Sequence, residues 1–109
     1  MEIEITGRHF HVTEALRDYI QMKVEKLDKY ALKLEMIHVV LDVQKFRHIS
    51  EIVARGKSTR LTAKDESADM YAAFDKSLGN IQLQLRRQHD KTRDHKSRTT
   101  PKAKKIPIE

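Results

Sequence analysis

Cysteine is absent from the 109 residues, and glycine and proline are scarce, at three and two. Without cysteine there are no disulfides, no thiolate chemistry and no cysteine-ligated zinc. Three separated glycines cannot build a phosphate-cradling loop. No apolar run approaches the ~20 residues that span a bilayer. The opening Met-Glu-Ile-Glu-Ile-Thr alternates acid with isoleucine, unlike a secretory leader, so the cytoplasm is the expected compartment. Aromatic residues make up 6% of the chain. No exposed aromatic ladder emerges from the pattern, which disfavours readout of single strands by stacking.

Catalytic constellations are missing too. Ser50, Ser58 and Ser67 fall at turns or strand ends without a G-x-S-x-G context, and the carboxylates are scattered along solvated faces. The chain is therefore not expected to be an enzyme. His9-x-His11 could set two imidazoles on one side of an extended segment, but no third ligand completes a metal set. No metal and no cofactor are expected. His89 and His95 extend a polar helix surface.

What the chain has in abundance is charge, 35% of its residues, with a mean hydropathy of −0.68. Its net charge of +6 is unevenly placed. Residues 1–84 hold 13 cations and 13 anions, whereas residues 85–109 hold nine cations against Asp90, Asp94 and Glu109, so 9 − 3 = +6. Such asymmetry points to a polyanionic partner. Nucleic acid is favoured over membrane, because the tail lacks the bulky apolar residues of an interfacial helix.

The pattern along the chain reads β-α-β-β-β-α. Ile3 and Ile5 alternate with Glu2 and Glu4 in a half-buried strand over 2–6. Thr13 is a good N-cap for a helix whose stripe is Leu16, Ile20, Val24, Leu27 and Ala31, running to about Tyr30. Period two then returns over 36–46, with Ile37, Val39, Leu41 and Val43 on one face and His38, Asp42 and Gln44 on the other. Arg47-His48 is expected to turn the chain into a strand over 50–57, with Ile52 and Ala54 inward. Gly56-Lys57-Ser58 turns it again into a strand over 60–65, with Leu61 and Ala63 inward and Arg60, Thr62 and Lys64 outward. Two tight connections imply an antiparallel meander, its outer face polar. The last helix starts at a Ser67 or Asp69 cap. Its core face is Met70, Phe74, Leu78, Ile81 and Leu85, and it runs to about His95. The expected architecture is one α+β domain over residues 1–95, a four-stranded sheet with two helices on one face, followed by a basic tail over 96–109 read as disordered when free.

Two stripes of cations invite a binding role. On helix one, Lys23, Lys26 and Lys29 alternate with Asp18, Glu25 and Asp28, which by itself reads as a solvated face with i,i+4 pairing. On helix two the acids thin out while Arg86, Arg87, Lys91 and Arg93 accumulate, which favours binding of phosphate. Shape recognition of structured RNA fits such a helix-and-sheet platform.

Several segments carry a family resemblance. They are Gly7-Arg8, Val12-Thr13-Glu14-Ala15-Leu16-Arg17, Lys23 to Tyr30, and above all Asp69-Met70-Tyr71-Ala72-Ala73-Phe74-Asp75 with Gln84-Leu85. From about Glu2 to Lys91 the chain resembles the ribosome hibernation-promoting factor family, which includes ribosome-associated inhibitor A and was once called sigma-54 modulation protein. The resemblance implies the same β-α-β-β-β-α fold, like that of double-stranded-RNA-binding domains. It also implies a monomer that binds the small ribosomal subunit and its rRNA in the mRNA and tRNA channel. There it blocks translation and protects idle ribosomes in stationary phase or stress. It assigns rRNA contacts to Lys23, Lys26, Lys29, Arg86, Arg87 and Lys91, with Arg93 extending the same helix. It further implies a short form, dependent on a separate modulation factor to pair ribosomes. The chain departs from the family at Asn80 and Leu83, where Lys or Arg is common, and Gly79 interrupts the helix. Two other functions fit the residues: a stand-alone structured-RNA or DNA binder, and a protein-interaction module acting on a transcription factor.

Overall fold

The computed structural model describes residues 1–30 and 33–97, with side chains placed for 1–29 and 33–88. The chain runs β1 (Glu2–Arg8), α1 (Glu14–Glu25), a 3-10 turn (Lys26–Tyr30), β2 (Leu34–Gln44), β3 (Arg47–Gly56), β4 (Arg60–Ser67) and α2 (Met70–Ser97). Ala31 and residues 98–109 of the expected tail lie outside the described residues.

The sheet order is β1-β2-β3-β4. β2, β3 and β4 form the antiparallel meander that two short connections require, while β1 pairs with β2 in parallel. Parallel neighbours need a crossover, and α1 supplies it. The register aligns the inward residues in rows, Ile5, Val39, Ile52 and Ala63 forming one and Ile3, Ile37, Ala54 and Leu61 the next. Onto these rows pack Leu16, Ile20 and Val24 of α1, Leu27 of the 3-10 turn, and Met70, Ala73, Phe74, Leu78, Ile81 and Leu85 of α2.

Both helices begin at side-chain caps. Thr13 Oγ1 accepts from the Leu16 amide at 3.2 Å. Asp69 accepts from the amides of Tyr71 and Ala72 at 3.1 and 3.2 Å, which satisfies two orphan donors and places an anion at the positive end of the helix. Where α2 packs on β3, the fully buried Ser50 and Ser77 hydroxyls meet at 2.8 Å. Ser77 donates to the Phe74 carbonyl at 2.9 Å, so the Ser50 hydroxyl donates to Ser77.

α2 runs back along β4 and shields its open edge. Lys76 Nζ donates to the Glu66 carbonyl at 3.4 Å and Gln84 Nε2 to the Thr62 carbonyl at 2.9 Å. Eight helical residues and four strand residues each advance ~12–13 Å, so helix and edge stay level with each other.

Three expectations need correction. The β2–β3 turn is Lys45-Phe46, not Arg47-His48, and both Arg47 and His48 belong to β3. Lys45 takes φ 58°, a conformation that costs a residue bearing a Cβ ~1–2 kcal/mol. Phe46 does not end a strand but stands at the turn, 91% exposed. The outer sheet face is also not uniformly solvated. Asp42 is only 7% exposed there, bonded by His9 Nδ1 and Gln44 Nε2, both at 3.1 Å, and its neighbour Ile49 is buried beside it. Those bonds let the carboxylate tolerate its position.

Candidate nucleic-acid interface

Lys23 lies in the last turn of α1, on the side facing α2. Its Nζ is 3.8 Å from Asp75 Oδ1 of α2 and 4.8 Å from the centroid of the Tyr19 ring. Tyr19 in turn donates to both Asp75 oxygens, at 2.8 and 3.0 Å. The bond to Tyr19 and the Asp75 charge hold the Lys23 ammonium above its ordinary pKa. Lys23 is thus a half-buried cation already provided with an internal anion.

Lys26 follows at the start of the 3-10 turn and is exposed. With Lys23, Asp75, Leu78 and Gln82 it lines a shallow furrow between the two helices. Lys29 is exposed on the same 3-10 turn, which packs against α2. Arg86 and Arg87 are exposed on α2, just beyond Gln84. The backbone of α2 continues unbroken through Lys91 and Arg93, whose side chains lie outside the described residues. At four residues from Arg87 and seven from Arg86, these two positions return to the same sides of the helix. The structure therefore brings Lys23 and Lys26 together, keeps Lys29 on the 3-10 turn that packs against α2, and sets Arg86 and Arg87 further along that helix.

Asn80 and Leu83 are both exposed on α2. Gln84 Nε2 also donates to Asn80 Oδ1 at 2.9 Å, so this stretch of the helix is neutral and partly self-bonded.

Sequence reasoning missed a neighbouring set of cations. The β3–β4 hairpin carries Arg55, Lys57 and Arg60, all exposed, and no acid occurs between Ile52 and Lys64. That acid-free run was the available signal, and it was obscured because outward-pointing cations are ordinary on a strand.

Among the described residues no three His, Cys, Asp or Glu side chains converge as a metal site, and no helix is long and apolar enough to cross a membrane. A small mixed sheet carrying two helices, one of them displaying cations along an exposed side, defines a binding protein of the α+β class. The chain belongs to the family described as Sigma 54 modulation protein / S30EA ribosomal protein, whose model matches residues 3–93. This is a family of binding proteins, not of enzymes.

Relatives named ribosome hibernation promoting factor are similar over most of the chain. That of Salmonella typhimurium is 37% identical over 95 residues, covering 87% of this chain and all of the relative. That of Escherichia coli K12 is 35% identical over the same span. Among solved structures, the Thermus thermophilus Protein Y N-terminal domain aligns with a TM-score of 0.73 at 32% identity, over 80% of this chain and 98% of that one. A ribosomal subunit interface protein from Coxiella burnetii shares the fold, with a TM-score of 0.76 at 24% identity over 81% of this chain and 97% of that one.

Proposed function

We propose that this protein is a ribosome hibernation factor. It binds the small ribosomal subunit through its rRNA, in the channel that mRNA and the tRNA anticodon stems occupy. By filling that channel it stops translation and preserves idle ribosomes in the cytoplasm during stationary phase or stress. The relatives named ribosome hibernation promoting factor support the ribosome as partner.

The observation that carries the reading is the row of exposed cations on α2, Arg86 and Arg87, continued in the helix by Lys91 and Arg93. Arginine forks suit phosphate oxygens and lysines add mobile charge, so binding is salt-sensitive. Lys26 and Lys29 supply further phosphate contacts from the 3-10 turn. Lys23 joins them by exchanging the Asp75 carboxylate for a phosphate. The protein acts as a monomer, and pairing of ribosomes is left to a separate modulation factor.

The test is cosedimentation of an Arg86→Glu, Arg87→Glu variant with vacant small subunits. Both side chains are exposed, so the fold stays intact while binding is abolished. A variant that cosediments like the wild type contradicts the assignment of α2 as the contact. Binding that persists without any salt dependence favours instead a protein-interaction module.

A further inference from the structure

Arg55 and Arg60 are directly opposite each other in the β3–β4 ladder, both exposed on the outer face. Like charges at such a pair repel and weaken the hairpin. Their surroundings offer little relief. Arg55 rests one guanidinium nitrogen 3.1 Å from the Met36 sulfur, not on a carboxylate. In the same cross-strand row the acid is Glu2, two strands away from Arg55 on β1. Lys57 adds a third cation in the turn, which the Gly56 amide closes by donating to the Thr59 carbonyl at 2.8 Å. Lys64 differs, because it faces Glu51 across the ladder.

The hairpin is also placed beside the basic helix. Gln84 of α2 is pinned to the Thr62 carbonyl, and the helix advances antiparallel to β4. Arg86 and Arg87, ~3–5 Å further along the axis, are therefore level with the stretch between Thr62 and Arg60. The two sets of cations flank one sheet edge, and the stretch of β4 from Arg60 to Lys64 between them holds no acid, Asp65 and Glu66 lying at the strand's far end.

We infer that the β3–β4 hairpin is a second phosphate-binding surface, in which Arg55, Lys57 and Arg60 grip an RNA backbone that also contacts Arg86 and Arg87. The inference rests on the proposed function for the identity of the RNA and extends it from the helices to the sheet. The repelling pair is a local cost that a polyanion relieves when it binds.

The experiment compares the wild type with an Arg55→Gln, Lys57→Gln, Arg60→Gln variant, measuring affinity against salt concentration. Two probes are used, vacant small subunits and a structured RNA transcript containing stem-loops. Each phosphate contact contributes about 0.7–0.9 to the slope of log K against log salt. The expected result is a slope lower by about two and an affinity lower by at least about tenfold at 0.15 M salt. Removing the like-charge pair should leave the melting temperature of the variant unchanged or raised, which separates lost binding from lost folding. An unchanged slope on both probes overturns the inference. If the wild type ignores subunits yet binds the transcript with a hairpin-dependent slope, the ribosomal assignment falls and the hairpin site stands. If the wild type binds neither probe, both fall.

Discussion

Lys23 of α1 and Asp75 of α2 sit 3.8 Å apart across the furrow between the helices, with the Tyr19 hydroxyl bonded to the same carboxylate. The pair ties the two helices together and also sets an anion inside the proposed contact surface. Asp75→Asn removes that anion while keeping an acceptor for Tyr19. The expected outcome is several-fold tighter, more salt-dependent binding to vacant small subunits, with little change in melting temperature. Titration of affinity against salt checks it.

Two carboxylates make stability depend on acid. Arg47 bonds Glu66 through Nε and Nη2, the latter at 2.6 Å, and these bonds hold the Glu66 carboxyl below its ordinary pKa. Asp42 is held low chiefly by the His9 hydrogen bond. Each group binds its proton more weakly in the folded chain than in the unfolded one. Their stabilisation is therefore complete above the unfolded carboxylate values of about 4 and is lost as pH falls through the lower folded values. Urea midpoints measured from pH 7 down to 2 should fall less steeply for Glu66→Gln and for His9→Ala than for the wild type.

The buried serines offer a double-mutant cycle. Ser77→Ala strands the Ser50 hydroxyl in the core and should cost about 1–2 kcal/mol. Removing both hydroxyls removes the need for a partner, so the double variant should be more stable than the sum of the two single changes implies. Urea denaturation of the four proteins provides the coupling.

The glycines should respond in opposite directions. A Cβ at Gly79 meets nothing within 4 Å, so Gly79→Ala should stabilise α2 by up to ~1 kcal/mol. A Cβ at Gly7 falls on the Phe10 carbonyl oxygen and 2.9 Å from Val12 Cγ2, so Gly7→Ala forces the chain after β1 to move and should destabilise by ~1–3 kcal/mol. Thermal melting resolves both.

The elements that depend on local periodicity were legible in the sequence. Ile52 and Ala54 point inward, Thr13 and Asp69 cap the helices, and the apolar stripe of α2 from Met70 to Leu85 is the buried one. Features set by tertiary meetings were not legible. Nothing in Ile3 and Ile5 specifies a parallel partner, since alternation reports a face and not a neighbour. The β2–β3 turn was misplaced by two residues because Lys45 adopts a left-handed conformation without the glycine or asparagine that usually marks it. Asp42 reads as an outward polar residue until His9, 33 positions away, covers it. Of the proposed contacts, Arg86 and Arg87 are exposed as their spacing implied, whereas the engagement of Lys23 by Asp75 follows from helix packing alone.

The central claim is occupancy of the decoding channel, and competition with tRNA tests it most directly. Purified protein is cosedimented with vacant small subunits and with subunits carrying mRNA and tRNA, each at low and at physiological salt. The expected result is binding to vacant particles that weakens with salt and is lost when tRNA is present. Binding that is unaffected by tRNA would place the protein elsewhere on the ribosome and contradict the account.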